Sequence, residues 1–170
     1  MDTFIEKIVT KKKGPVDYFI TFGLILAAVI LTMLSFSIQI LQQLGISLLI
    51  AAAIIYLVYR LINARNIEYE YIVTNGDLDI DKIISRRKRK RIFSASCKEF
   101  EILAKVSSNS FSQSVQSIKN RIDATSNINS PDAYFATLAY KGEKTVVIFE
   151  PDERMLNNFK IFIPRKMFLN

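Results

Sequence analysis

Hydropathy divides the chain into a continuous apolar stretch followed by alternating segments. From Tyr18 to Ile62 apolar residues dominate, and no charge occurs between Asp17 and Arg60, a gap of 42 positions. A bilayer core of roughly 30 Å needs about 20 apolar helical residues. The gap therefore predicts two spans, "YFITFGLILAAVILTMLSFS" (Tyr18–Ser37) and "GISLLIAAAIIYLVYRLI" (Gly45–Ile62). Gln39, Gln42, Gln43 and Gly45 interrupt the run at its midpoint, which predicts a hairpin rather than one long buried helix. A cleavable signal peptide does not fit. The first span is too long for one, lacks a small-x-small cleavage site and is followed by a second span.

After Arg65 the period changes to two. "IEYEYIVTNGDLDIDKII" places two alternating runs around Asn75-Gly76, the preferred type I′ pair. That turn pairs Val73 with Leu78 and Tyr71 with Ile80 on an apolar face. The opposite face pairs Thr74 with Asp77, Ile72 with Asp79 and Glu70 with Asp81. Like charges directly opposite are unfavourable, so this acidic face calls for a basic neighbour. "IFSASCKEFEILAK" continues as strand, and "YFATLAYKGEKTVVIFE" predicts a second hairpin turning near Lys141-Gly142.

The Ser/Asn-rich segment 106–131 is expected to be a surface insertion. Within it Phe111, Val115, Ile118 and Ile122 fall at helical spacing and predict a short amphipathic helix, whose stripe docks on the domain, lies on the membrane or holds a partner, docking being preferred. Pro151, Asp152 and Glu153 start a final helix whose stripe is Met155, Leu156, Phe159, Phe162 and Ile163, ending at Pro164. The expected fold is an α+β membrane protein: a two-helix transmembrane hairpin, then a small antiparallel β barrel or sheet capped by a C-terminal helix. Its divisions are an N-terminal segment 1–17, the hairpin 18–62 and a β domain 66–170.

Charge sets the expected orientation. Lys7, Lys11, Lys12 and Lys13 precede the first span, Arg60 and Arg65 close the second, and the turn between them is uncharged. The expectation is a multi-pass protein of the cell membrane with both termini cytoplasmic. Tyr18, Phe19, Phe22, Tyr56 and Tyr59 supply a cytoplasmic aromatic belt. Ala27, Ala28, Ala51, Ala52 and Ala53 lie at similar depth, where small residues let helices approach closely, within the hairpin or in a homo-oligomer or partner contact. No ionisable group lies inside either span, which argues against a transporter acting alone.

The 170 residues include no histidine and one cysteine, Cys97, with a net charge of +7. Most nucleophile–base pairs and zinc sites are thereby excluded, and neither an enzyme nor a cofactor is expected. Asp77, Asp79 and Asp81 alternate on one strand, but a glycine-bearing calcium loop is missing, so no metal is expected.

The most concentrated charge is "SRRKRKRIF", Ser85–Phe93. Arg86, Arg87, Lys88, Arg89, Lys90 and Arg91 are the candidate membrane- or partner-binding residues. Between Ile67 and Arg91 these six and Lys82 face five acids: Glu68, Glu70, Asp77, Asp79 and Asp81. Three surfaces compete for the run: the anionic inner leaflet, the chain's own acidic strand and an acidic partner. Nucleic acid is disfavoured because only Phe93 follows as a stacking platform.

"YEYIVTNGDLDIDKIISRRKRKRIF", "VIFEPDERMLNNF" and "IPRKMF" carry a resemblance. They resemble an uncharacterised family of small Gram-positive bacterial membrane proteins, similar in plan to bacterial pleckstrin-homology-like (PH-like) membrane proteins. The resemblance implies a small barrel with a C-terminal helix and no catalytic residue. The expected function is a non-enzymatic, membrane-anchored scaffold whose PH-like domain binds a protein partner or the anionic inner leaflet. The alternative is an accessory subunit of a membrane transport or secretion complex.

Overall fold

The computed structural model describes residues 3–127 and 129–168. Met1, Asp2, Ile128, Leu169 and Asn170, which the expected divisions include, lie outside the described residues. The chain forms two compact units: Lys12–Asn66, and the segments before and after it together.

The Lys12–Asn66 unit is a helical hairpin of α1 (Pro15–Ser37), a short α2 (Gln39–Gln43) and α3 (Ser47–Ala64). Pro15 suits the first helical position, where no N–H partner is needed. The Asp17 carboxylate accepts the Gly14 N–H at 2.9 Å and also pairs with Arg65 at the end of α3. Gly45, at φ 69°, adopts the left-handed turn that the reversal requires. Ser35, Ser47 and Ala51 are buried between the helices, and Ala28 is half-buried. Ala27, Ala52 and Ala53 are exposed, because a rotation of about 100° per residue sends neighbours to different faces. Two of the five candidate alanines, Ala28 and Ala51, are thus wholly or partly covered. Both long helices are apolar enough to cross a membrane, and side chains such as Phe19 (77% exposed) and Leu48 (71%) point outward.

The second unit contains two sheets. In the first, β1 (Phe4–Thr10), β2 (Ile67–Thr74), β3 (Asp77–Ile84) and β4 (Lys88–Ser96) lie in sequential antiparallel order. The second contains β5 (Ile102–Lys105), β6 (Asn120–Asp123), β7 (Tyr134–Tyr140), β8 (Glu143–Phe149) and β9 (Met167–Phe168), ordered β6-β8-β7-β5-β9. The β6–β8 and β5–β9 pairings are parallel. The hydrogen-bonded ladders thus make two sheets rather than one closed barrel.

The Asn75-Gly76 turn sets the β2–β3 register as expected, with Val73 opposite Leu78 and Tyr71 opposite Ile80. Those residues and Phe93 meet Leu138, Val147 and Phe149 of the second sheet in one core. The Tyr71 and Phe149 rings meet edge to face at 5.9 Å. Tyr71 Oη donates to the Ala124 carbonyl and accepts the Glu150 N–H at 3.3 Å, so a buried polar bridge also joins the sheets. A single-turn helix α4 spans Gln113–Gln116, and the final helix, α5 (Glu153–Phe162), is capped by Asp152, whose carboxylate accepts the Met155 N–H at 2.8 Å. Met155 and Phe159 are fully buried, as the stripe implied.

Two features differ from the sequence reading. Segment 1–17 contributes β1: Ile5 and Val9 face the core, and all seven strand residues pair with β2. The sheet domain is therefore interrupted in sequence by the hairpin. The helix expected from Phe111 to Ile122 is a single turn, α4, because Asn120–Asp123 instead extends the edge of β8 as β6. Phe111, Val115 and Ile118 still dock, against Ala104, Phe135 and Ile148, while Ile122 packs on the main core.

Candidate functional site

Strand alternation divides the basic run into two chemically different halves. Ile84 pairs with Lys88, leaving Ser85, Arg86 and Arg87 as the β3–β4 turn. A register shift after Ile80 leaves Ile92 as an extra residue in β4, and beyond it Asp81 opposes Arg91 and Ile83 opposes Arg89. Such a bulge moves every following side chain to the other face. Without it, Arg91 would oppose Lys82 and Asp81 would oppose Ile92. The bulge is what brings arginine to the acids.

On the acidic face Arg91 bridges Asp79 at 2.6 Å and also binds Asp81. Arg89 pairs with Glu70 at 3.0 Å, and Arg86 pairs with Glu68 at 3.1 Å. Glu70 and Asp81 are buried, 2% and 5% exposed. Arg87, Lys88 and Lys90 have no ion pair among the described residues. Lys88 and Lys90 fall on the opposite face with Ile84 and Lys82, and Lys90 stands directly across from Lys82. Lys82 is the next residue in the Leu78–Ile80 alternation, which puts it on the same strand face as Lys88 and Lys90.

Burial raises the Glu70 carboxyl above its ordinary pKa. Arg89 opposes that shift, and Glu6 and Asp81 reinforce it. Its buried Oε2 meets no N–H or O–H donor among the described residues, whereas a protonated Glu70 can share a hydrogen bond with Glu6. The folded chain therefore holds this proton to higher pH than the unfolded chain. Stability linked to Glu70 is fully present below the ordinary value of 4.5 and is lost as pH rises through the folded value. Glu70→Gln is expected to be at least as stable as wild type at neutral pH. It should also lack the wild-type gain in melting temperature on mild acidification. A variant that melts lower at neutral pH and keeps the wild-type pH profile would sink this account.

Other reactive groups are quiet. Burial, with Asp77 adding to it, pushes the Cys97 thiol up to about 11, so it is not a thiolate at neutral pH. Burial likewise raises the Tyr71 phenol. Among the described residues no group of three or more Asp, Glu, Cys or His side chains is placed to hold a metal ion. What the arrangement offers is a cationic strand end with apolar neighbours, suited to binding an anion.

The family model described as Bacterial PH-like domain (DUF6106) matches residues 1–169. The chain belongs to this family. The PH-like plan inferred from the hairpin and C-terminal motifs is thereby borne out, and the match includes the segment that forms β1. No curated protein and no solved structure matches the chain. Membership in a PH-like family implies a binding or scaffold role, while the ligand is a matter of the site and not of the fold.

Proposed function

We propose that this PH-like protein is a non-enzymatic adaptor anchored in the cell membrane by its hairpin, with both termini cytoplasmic and its sheet domain at the inner leaflet. The observation that carries the reading is the register of the first sheet. Thr10, Glu68, Ile83 and Arg89 form one cross-strand row, and the Lys11 N–H reaches Ile67 O at 2.9 Å. The two connections to the hairpin thus leave the sheet at the end that carries the basic β3–β4 turn. Lys11, Lys12 and Lys13 lie in one connection and Arg65 in the other, which suits a cytoplasmic face.

Single cysteines at Gln42 in the hairpin turn and at Ser108 in the domain would test the topology with a membrane-impermeant maleimide on whole cells. Labelling at Gln42→Cys and none at Ser108→Cys until the cells are opened is expected. The reverse pattern would overturn the reading. A second reading, an accessory subunit of a larger membrane complex, is favoured by Gly23 and Ala27. Both are exposed one turn apart on α1, with open space beside Gly23 where another helix has room. Co-purification with an unrelated multi-span protein, abolished by Gly23→Leu, is its test.

A further inference from the structure

We infer that Arg87, Lys88 and Lys90, together with Lys82, form a phosphate-binding site for the headgroups of anionic lipids. This inference rests on the adaptor reading and names the ligand of its basic strand end. Four features support it. The acidic face engages Arg86, Arg89 and Arg91, whereas these four cations have no acidic partner within ion-pair distance among the described residues. Lys82 and Lys90 are opposed directly across the ladder, a like-charge pairing that an anion between them would relieve.

The turn itself supplies the third feature. Ser85 and Arg86 both have left-handed backbones, at φ 56° and 54°. In the other two hairpin turns of this fold the second left-handed position is glycine, Gly76 and Gly142. A non-glycine residue there costs about 1–2 kcal/mol, and such local strain clusters at functional sites. Arg86 is not itself one of the four site cations; the strained tip that it forms with Ser85 leads directly into Arg87 and Lys88. The Arg86 pair with Glu68 is exposed, which makes it a minor stabiliser.

The fourth feature is the apolar surround. Ile67 and Ile84 occupy the row that ends at Lys88, and both are half-buried. Lysines beside such residues can lie along apolar surface while their ammonium groups reach phosphate. Each basic residue near an anionic leaflet contributes about 1 kcal/mol, decaying within a Debye length.

The test uses the full chain in nanodiscs of phosphatidylcholine alone or mixed with phosphatidylglycerol, footprinted with an amine-acetylating reagent. Labelling of Lys82, Lys88 and Lys90 is expected to fall roughly tenfold in the anionic discs and to recover at high salt. Lys98, beyond the other end of β4, and Lys160, on α5, should not change. Tryptic cleavage at Arg87 should slow in the anionic discs, and the triple variant Lys82→Gln, Lys88→Gln, Lys90→Gln should lose most of that protection. Because these lysines make no ion pair among the described residues, that variant is expected to melt like wild type. If the three lysines label equally in both discs while Lys11–Lys13 become protected, the site is wrong and the adaptor reading stands. If neither group changes, both fall. Protection by added pyrophosphate in neutral discs, with none from phosphatidylglycerol, overturns the lipid assignment in favour of a soluble phosphate.

Discussion

Replacing Phe159 with alanine is expected to destabilise the sheet domain by about 3–5 kcal/mol. The ring is fully buried, with its centroid 6.2 Å from that of Phe100 and 6.3 Å from that of Phe149. Phe149 in turn meets Tyr71, so the cavity would open where α5 and both sheets converge. Total stabilities of small domains are about 5–15 kcal/mol, and a loss of this size leaves little margin. Urea unfolding of the full chain in nanodiscs, followed by tyrosine fluorescence, should show a much lower midpoint or no cooperative transition. Ile161→Ala is the matched control. It lies two residues along the same helix but is 75% exposed, so its effect should stay within about 0.5 kcal/mol. Similar losses from both would mean that α5 does not dock through its Phe159 face.

Phe159 was readable from the sequence because the final stripe is helical, local and bounded by Pro151 and Pro164. The β2–β3 register was readable for a similar reason: Asn75-Gly76 fixes the turn, and the alternation on either side admits one apolar face. β1 was harder. "FIEKIVT" alternates as a strand, but its partner follows the whole hairpin, and local pattern carries no information about pairing across that distance. Lys7 was counted among the flanking charges, whereas its ammonium donates to Glu150 O at 2.8 Å within the sheet domain.

The candidate site was only half legible. That six consecutive charges cannot share one face of a strand follows from period two, and the acidic strand beside them was plain. Which arginines meet which acids depends on the bulge at Ile92, and nothing in "KRKRIFSAS" marks it. The segment from Phe111 to Ile122 shows the opposite failure. Its helical spacing was genuine, yet the open edge of β8 offered Asn120–Asp123 a ladder, and tertiary pairing overrode the local period.

Gly76→Ala should rank with Phe159→Ala, and a second glycine makes the reason separable. Gly76 and Gly142 have nearly the same backbone, φ 88° and 85°, at the same position of a two-residue hairpin turn. An added Cβ therefore carries a similar conformational cost at each, about 1–2 kcal/mol. At Gly142 nothing lies within 4 Å of that Cβ, whereas at Gly76 it would meet the Phe162 ring at 2.7 Å and Cys97 Sγ at 3.1 Å. The Cys97 N–H also donates to Gly76 O at 2.8 Å, which prevents the turn from moving aside freely. Overpacking of this kind adds about 1–3 kcal/mol. Gly142→Ala is thus expected to lower stability by about 1–2 kcal/mol, and Gly76→Ala by about 2–5 kcal/mol. Adding Phe162→Leu to Gly76→Ala should recover part of the difference, because the smaller side chain makes room for the methyl group. Equal losses at the two glycines, with no recovery in the double variant, would show that only backbone strain matters at Gly76 and that the end of α5 does not rest on the β2–β3 turn.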